Sequence, residues 1–80
     1  MTFHVLTENG NHWIGRKKEG DAGHEILVYH SLGDTSAPLK RFPTAPEVTN
    51  MVAFGDLVFV VSKDYDEEIV TIYNEQFEEM

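Results

Sequence analysis

The sequence predicts a small, mainly β protein: one antiparallel sheet or meander of five or six strands, in a single domain spanning residues 1–80. Three observations lead there. Apolar residues recur at period two along much of the chain. Asn-Gly, Gly-Asp and Asp-Tyr-Asp-Glu groups interrupt the pattern where strands should reverse. The runs between them are rich in β-branched and aromatic residues, which fit a pleated, half-buried surface.

The first element is a hairpin in "TFHVLTENGNHWIGRK". Asn9–Gly10 matches a two-residue type I′ turn, whose central residues both need positive φ. That turn sets Thr7 opposite His12, Leu6 opposite Trp13, Val5 opposite Ile14 and Phe3 opposite Arg16. Phe3, Val5 and Ile14 then share one face, and Leu6 and Trp13 the other. "KEGDAG" reads as a flexible connection and "HEILVYH" as a third strand. The stretch "SLGDTSAPLKRFPTAPEV" holds all three prolines and reads as loop, with a brief extended piece at Leu39–Phe42. Proline lacks the N–H a ladder needs, so a strand here belongs on an edge.

"VTNMVAFGDLVFVVSKDYDEEIVTIYN" follows as a three-stranded meander. A tight turn at Gly55–Asp56 pairs Phe54 with Leu57 and Val52 with Phe59. A second turn within Asp64–Glu67 pairs Lys63 with Glu68, Val61 with Val70 and Phe59 with Ile72. One face then carries Val52, Phe54, Leu57, Phe59, Val61, Val70 and Ile72. The other carries Met51, Ala53, Val58, Val60, Thr71 and Tyr73. A sheet apolar on both sides calls for cover on both, from the N-terminal strands or from a second chain, so homo-oligomerisation is an open expectation. The last segment has a rival reading: Ile69, Ile72, Tyr73, Gln76, Phe77 and Met80 fall at helical spacing behind Asp64 as an N-cap, giving an α+β alternative. The run Ile-Val-Thr-Ile-Tyr favours a strand through Tyr73, with a short helical turn after Asn74.

Charge is the strongest global feature. The chain carries six basic and fourteen acidic residues, a net charge of −8. Residues 1–40 hold four of the bases and five of the acids; residues 41–80 hold two and nine. Such a field repels nucleic acid and anionic membranes and attracts basic surfaces. There is no cysteine, and no apolar run approaches the roughly 20 residues that span a bilayer. The N-terminus lacks the basic and apolar regions of a signal peptide, so the expected compartment is the cytoplasm.

No catalytic or cofactor signature stands out, and the expectation is a non-enzymatic protein without cofactor or metal. His24 and His30 sit on one strand far apart, and in the Asn-Gly register His4 and His12 lie on opposite faces. Neither arrangement makes a zinc site. "DYDEE" alternates acids as calcium loops do, but lacks the turn glycine and the distant bidentate glutamate. "RKK" after Trp13 neutralises too few phosphates to hold nucleic acid. Ser31, Ser36 and Ser62 have no nucleophile-elbow context.

The candidate site is the acidic C-terminal run: Asp64, Asp66, Glu67, Glu68, Glu75, Glu78 and Glu79, with Tyr65, Tyr73 and Phe77 as aromatic anchors. Carboxylates spaced along an element can imitate a row of phosphates, and aromatic residues ringed by polar ones are typical of interface hot spots. Solubility alone would also account for the charge. Compact acidic domains of this type resemble phage- or plasmid-encoded inhibitors of nucleic-acid machinery, anti-CRISPR and anti-restriction proteins included. The resemblance implies an inhibitor or adaptor that binds a basic, nucleic-acid-handling protein.

The halves also echo each other. "ENGNHWIGRK" and "EILVYHS" parallel "AFGDLVFVVSK" and "EIVTIYNE"; Gly10 and Gly55 are 45 apart, Tyr29 and Tyr73 44 apart. Spacings in the forties suit propeller blades. Residues 43–80 resemble a kelch-type repeat, in which a polar turn leads into Gly-Asp, an apolar strand and a tyrosine-bearing strand. Val61–Ser62 stands where that family has paired glycines, and Phe77 where it has tryptophan. The resemblance implies a two-blade module that closes a ring only by assembling several chains, with a small ligand or sugar at its loops. Two unrelated hairpins of similar local chemistry would give the same echo.

Overall fold

A computed structural model describes residues 2–18, 20, 23–30, 37–44 and 47–80. The connections expected at "KEGDAG" and "SLGDTS" lie largely outside them. Among the described residues there are seven strands: β1 (Phe3–Leu6), β2 (His12–Lys17), β3 (His24–Tyr29), β4 (Lys40–Thr44), β5 (Glu47–Phe54), β6 (Leu57–Asp64) and β7 (Glu67–Tyr73). The protein is mainly β, but its strands form two antiparallel sheets rather than one meander, in the orders β1-β2-β3-β4 and β5-β6-β7. The extended piece foreseen at Leu39–Phe42 is the edge strand β4, the kind of position that tolerates Pro43. No described helix is long and apolar enough to cross a membrane.

Both turns of the second sheet hold the registers the sequence dictates. Phe54 pairs with Leu57 around Gly55 (φ +61°), and Lys63 pairs with Glu68 around Tyr65–Asp66. A two-residue loop leaves the ladder no freedom to slip. The first hairpin differs. Asn9 has no positive φ; Gly10 alone does, at +90°. The amide of Thr7 donates to the Asn11 carbonyl (2.9 Å) and that of Gly10 to the Thr7 carbonyl (3.0 Å). This is the longer loop in which a type I turn is followed by a left-handed glycine. It moves the register by one residue, setting Val5 opposite Trp13 and Phe3 opposite Gly15. A one-residue slip exchanges faces, so Trp13 joins Phe3 and Val5, while Leu6 turns outward and is half exposed.

Trp13 (1% exposed) therefore anchors the interior with Ile26 and Val28 from the first sheet and Val48, Met51, Val58 and Val60 from the second. The first sheet thus covers the Met51–Val58–Val60 face of β5–β7. On its own outer side, Glu25 is buried between Arg16 (3.1 Å) and Arg41 (3.6 Å), which supply the compensation a buried carboxylate requires. Turn-to-turn bonds join the sheets at one end: the Glu8 amide donates to the Gly55 carbonyl (3.0 Å) and the Asn9 amide to the Asp56 carboxylate (2.8 Å).

After β7 the chain forms no helical turn that propagates. The Asn74 side-chain oxygen accepts from the amides of Gln76 and Glu78, both at 3.0 Å. Phe77 then takes φ +65°, which stops helical winding. The tail folds back on β7, with the Met80 amide donating to the Ile72 carbonyl at 2.8 Å.

Candidate protein-interaction surface

The β6–β7 hairpin places Asp64, Tyr65, Asp66, Glu67 and Glu68 at one end of the second sheet, all exposed. Asp64 lies directly opposite Glu67 across the ladder. Like charges so placed repel. Tyr65 is 93% exposed and held at φ +57°. For a bulky L-residue the left-handed region costs about 1–2 kcal/mol, and here no burial of the ring compensates.

Glu75, Glu78 and Glu79 are also exposed, on the returning tail at the opposite end of β7. The expected acidic surface is thus divided in two, separated by the length of β7, roughly 20 Å at the usual strand rise. Among the described residues none of these seven carboxylates is in an ion pair; the pairs Arg16–Glu25 and Arg41–Glu25 lie in the other sheet. Lys63 sits in the register between Glu47 and Glu68.

The two remaining aromatic anchors are otherwise engaged. Tyr73 and Phe77 are half-buried, each with its ring centre 5.7 Å from that of Trp13, and Phe42 lies 4.9 Å from Tyr73. Burial, with the neighbouring Glu79 carboxylate second, holds the Tyr73 hydroxyl above its ordinary pKa. These rings close the core instead of projecting from it. The reason is the tail: Asn74 turns it inward, a conformation that apolar spacing does not reveal.

An exposed apolar face lies between the two acidic groups. On the outer face of β5–β7, Phe54 is 75% exposed, Val70 58% and Val52 50%, with Leu57, Phe59, Val61 and Ile72 partly covered. The period-two pattern marks this face as apolar. That it stays open depends on which side the first sheet covers, and no local signal encodes that choice.

The register change also relocates histidines. His4 and His12 lie on the same face, not opposite ones, with rings stacked 5.1 Å apart and a 3.1 Å hydrogen bond from one ring to the other. Burial, and secondarily the His4 charge, lowers the pKa of His12. His24 lines a shallow cleft of about 240 Å³ with Phe3, Glu47, Val48 and Thr49. Among the described residues no three His, Asp or Glu side chains gather as metal ligands.

Comparison of the chain with protein-family models, curated proteins and solved structures gives no match.

Proposed function

We propose that the protein is a non-catalytic interaction module whose acidic C-terminal half binds a basic protein surface, of the kind that handles nucleic acid, and so acts as an inhibitor or adaptor. The observation that carries this reading is the set of seven exposed carboxylates at the ends of β7, without ion pairs among the described residues, beside the protruding ring of Tyr65. A surface that merely keeps a domain in solution gains nothing from an aromatic ring in a costly backbone conformation. An anchoring contact does.

The test is titration against a panel of basic nucleic-acid-binding proteins at about 50 and 200 mM salt, with and without duplex DNA. Binding that weakens steeply with salt, competes with DNA and is lost when Glu67, Glu68, Glu78 and Glu79 are all changed to Gln supports the reading. Equal binding by that fourfold variant rules it out.

A second reading, the ring-forming propeller-like module, is favoured by one observation. The echoing segments occupy equivalent strands, β2–β3 and β6–β7, each preceded by a positive-φ glycine and each second strand ending in tyrosine. It requires stable self-assembly, and a monomer by light scattering at micromolar concentration excludes it.

A further inference from the structure

We infer that the outer face of β5–β7 is the apolar centre of the same interface, and that its occupant is an amphipathic helix of the basic partner. The inference rests on the basic-partner reading; it adds where the partner lies and what form it presents. Val52, Phe54, Phe59, Val61, Val70 and Ile72 make one continuous face in the register, with acidic groups beyond both of its ends. A contiguous exposed apolar patch with a polar rim marks an interaction site more often than an idle surface.

Charge and dimensions select the occupant. A second copy would bring the same face against itself, since a two-fold interface superposes one patch on its equivalent. Two chains of net charge −8 would then meet with anionic rims at both ends of the contact. An added β-strand is poorly served, because the tail already takes the edge groups of β7 at Ile72 and Asn74. What remains open on that edge, Glu67–Thr71, is short and carries charge that discourages strand pairing, and the opposite edge strand, β5, lies beside β1 and β2 of the other sheet. A helix fits. Three strands span about 10 Å between the outer two, close to a helix diameter of about 10–12 Å. The roughly 20 Å between acidic groups equals about 13 helical residues at 1.5 Å each. The partner helix therefore carries an apolar stripe of three to four turns, with Lys or Arg at both ends, one set facing Asp64–Glu68 and the other Glu75–Glu79.

The probe is a synthetic 18-residue peptide with a Leu/Phe stripe and lysines at both ends. Its controls are a scrambled peptide of equal composition and one with Glu replacing Lys. Amide and methyl NMR spectra of the full chain report where each binds. We expect the ordered peptide to bind at least ten-fold more tightly than the scrambled one, with shifts at the Val52, Val61, Val70 and Ile72 methyls. Val52→Asp combined with Val70→Asp should lower affinity at least ten-fold with spectral dispersion retained; Val52→Thr with Val70→Thr serves if the charged pair unfolds. Equal binding of ordered and scrambled peptides, with shifts only at the acidic residues, overturns the helix inference and leaves the basic-partner reading standing. No binding of either lysine peptide overturns both. Shifts confined to the Glu67–Thr71 amides, or a peptide-free dimer abolished by the Val52 change, overturn the inference in favour of strand addition or a second copy.

Discussion

Gly15 and Met51 face each other across the junction of the two sheets, so closely that a methyl group on Gly15 would come within 2.5 Å of the Met51 sulfur. Val48 stands next, at 3.4 Å. Gly15 occupies a strand with no unusual backbone angle, so space and not conformation demands glycine. Gly15→Ala should destabilise the fold by about 1–3 kcal/mol, the usual cost of overpacking. The loss should shrink when Met51→Ala is added, because the two residues share one space. Urea denaturation of the two single variants and the double variant measures it; strictly additive effects would show that the sheets do not meet there.

Tyr65 predicts opposite effects on stability and binding. Asparagine tolerates the left-handed region, so Tyr65→Asn should raise stability by up to about 1 kcal/mol, since only the backbone strain is relieved. The same change removes the most exposed ring of the hairpin and should weaken association with a basic partner. Thermal denaturation and partner titration on one preparation give both signs. Unchanged or reduced stability would show that the tip is unstrained.

The His4–His12 pair predicts loss of stability in mild acid. The pKa of His12 is lowered from 6.5 by burial and by His4, so the unfolded chain binds more protons than the folded one. Stability is then full above about 6.5 and declines as pH falls through that value toward the lower folded pKa. His12→Gln should flatten this slope, and His4→Gln should reduce it less, since burial is the larger cause. Denaturation midpoints between pH 5 and pH 8, each an ordinary laboratory condition around the histidine range, test it.

Asn74 predicts the behaviour of the tail. Its side-chain oxygen accepts two amides, so Asn74→Ala should cost about 1–2 kcal/mol at the usual net value per bond. The amides of Gln76 and Glu78 should exchange faster with solvent water. Faster exchange should extend to Met80, whose bond to Ile72 depends on the same turn.

The residues that the sequence made legible are those whose partners were fixed by tight turns. Gly55–Asp56 and Tyr65–Asp66 each leave one register, and both faces of β5–β7 follow from it. Asn9–Gly10 suits two loop lengths equally well, and the choice rested on the Thr7–Asn11 bond that closes the longer one. That ambiguity is why Trp13 and Leu6 exchanged sides. The acidic residues were legible as exposed because charge avoids the interior, but their division into two groups was not, since it depends on the tail folding back. Tyr73 and Phe77 could not be assigned inside or out without knowing where Trp13 lay. The open apolar face was visible as a demand for cover, and only the packing of one sheet on the other decided which side went unmet.

The order of strands has a practical consequence. In each sheet every ladder neighbour is also the next strand in sequence, so a single break between Thr44 and Glu47 severs no sheet. It yields two fragments, each with its own complete set of hairpins and half of the Trp13–Met51–Val58 interior. Produced together, they should find each other and restore the amide spectrum of the intact chain, while either alone presents its inner face to water and aggregates. The protein is thus a natural candidate for splitting into a complementing pair.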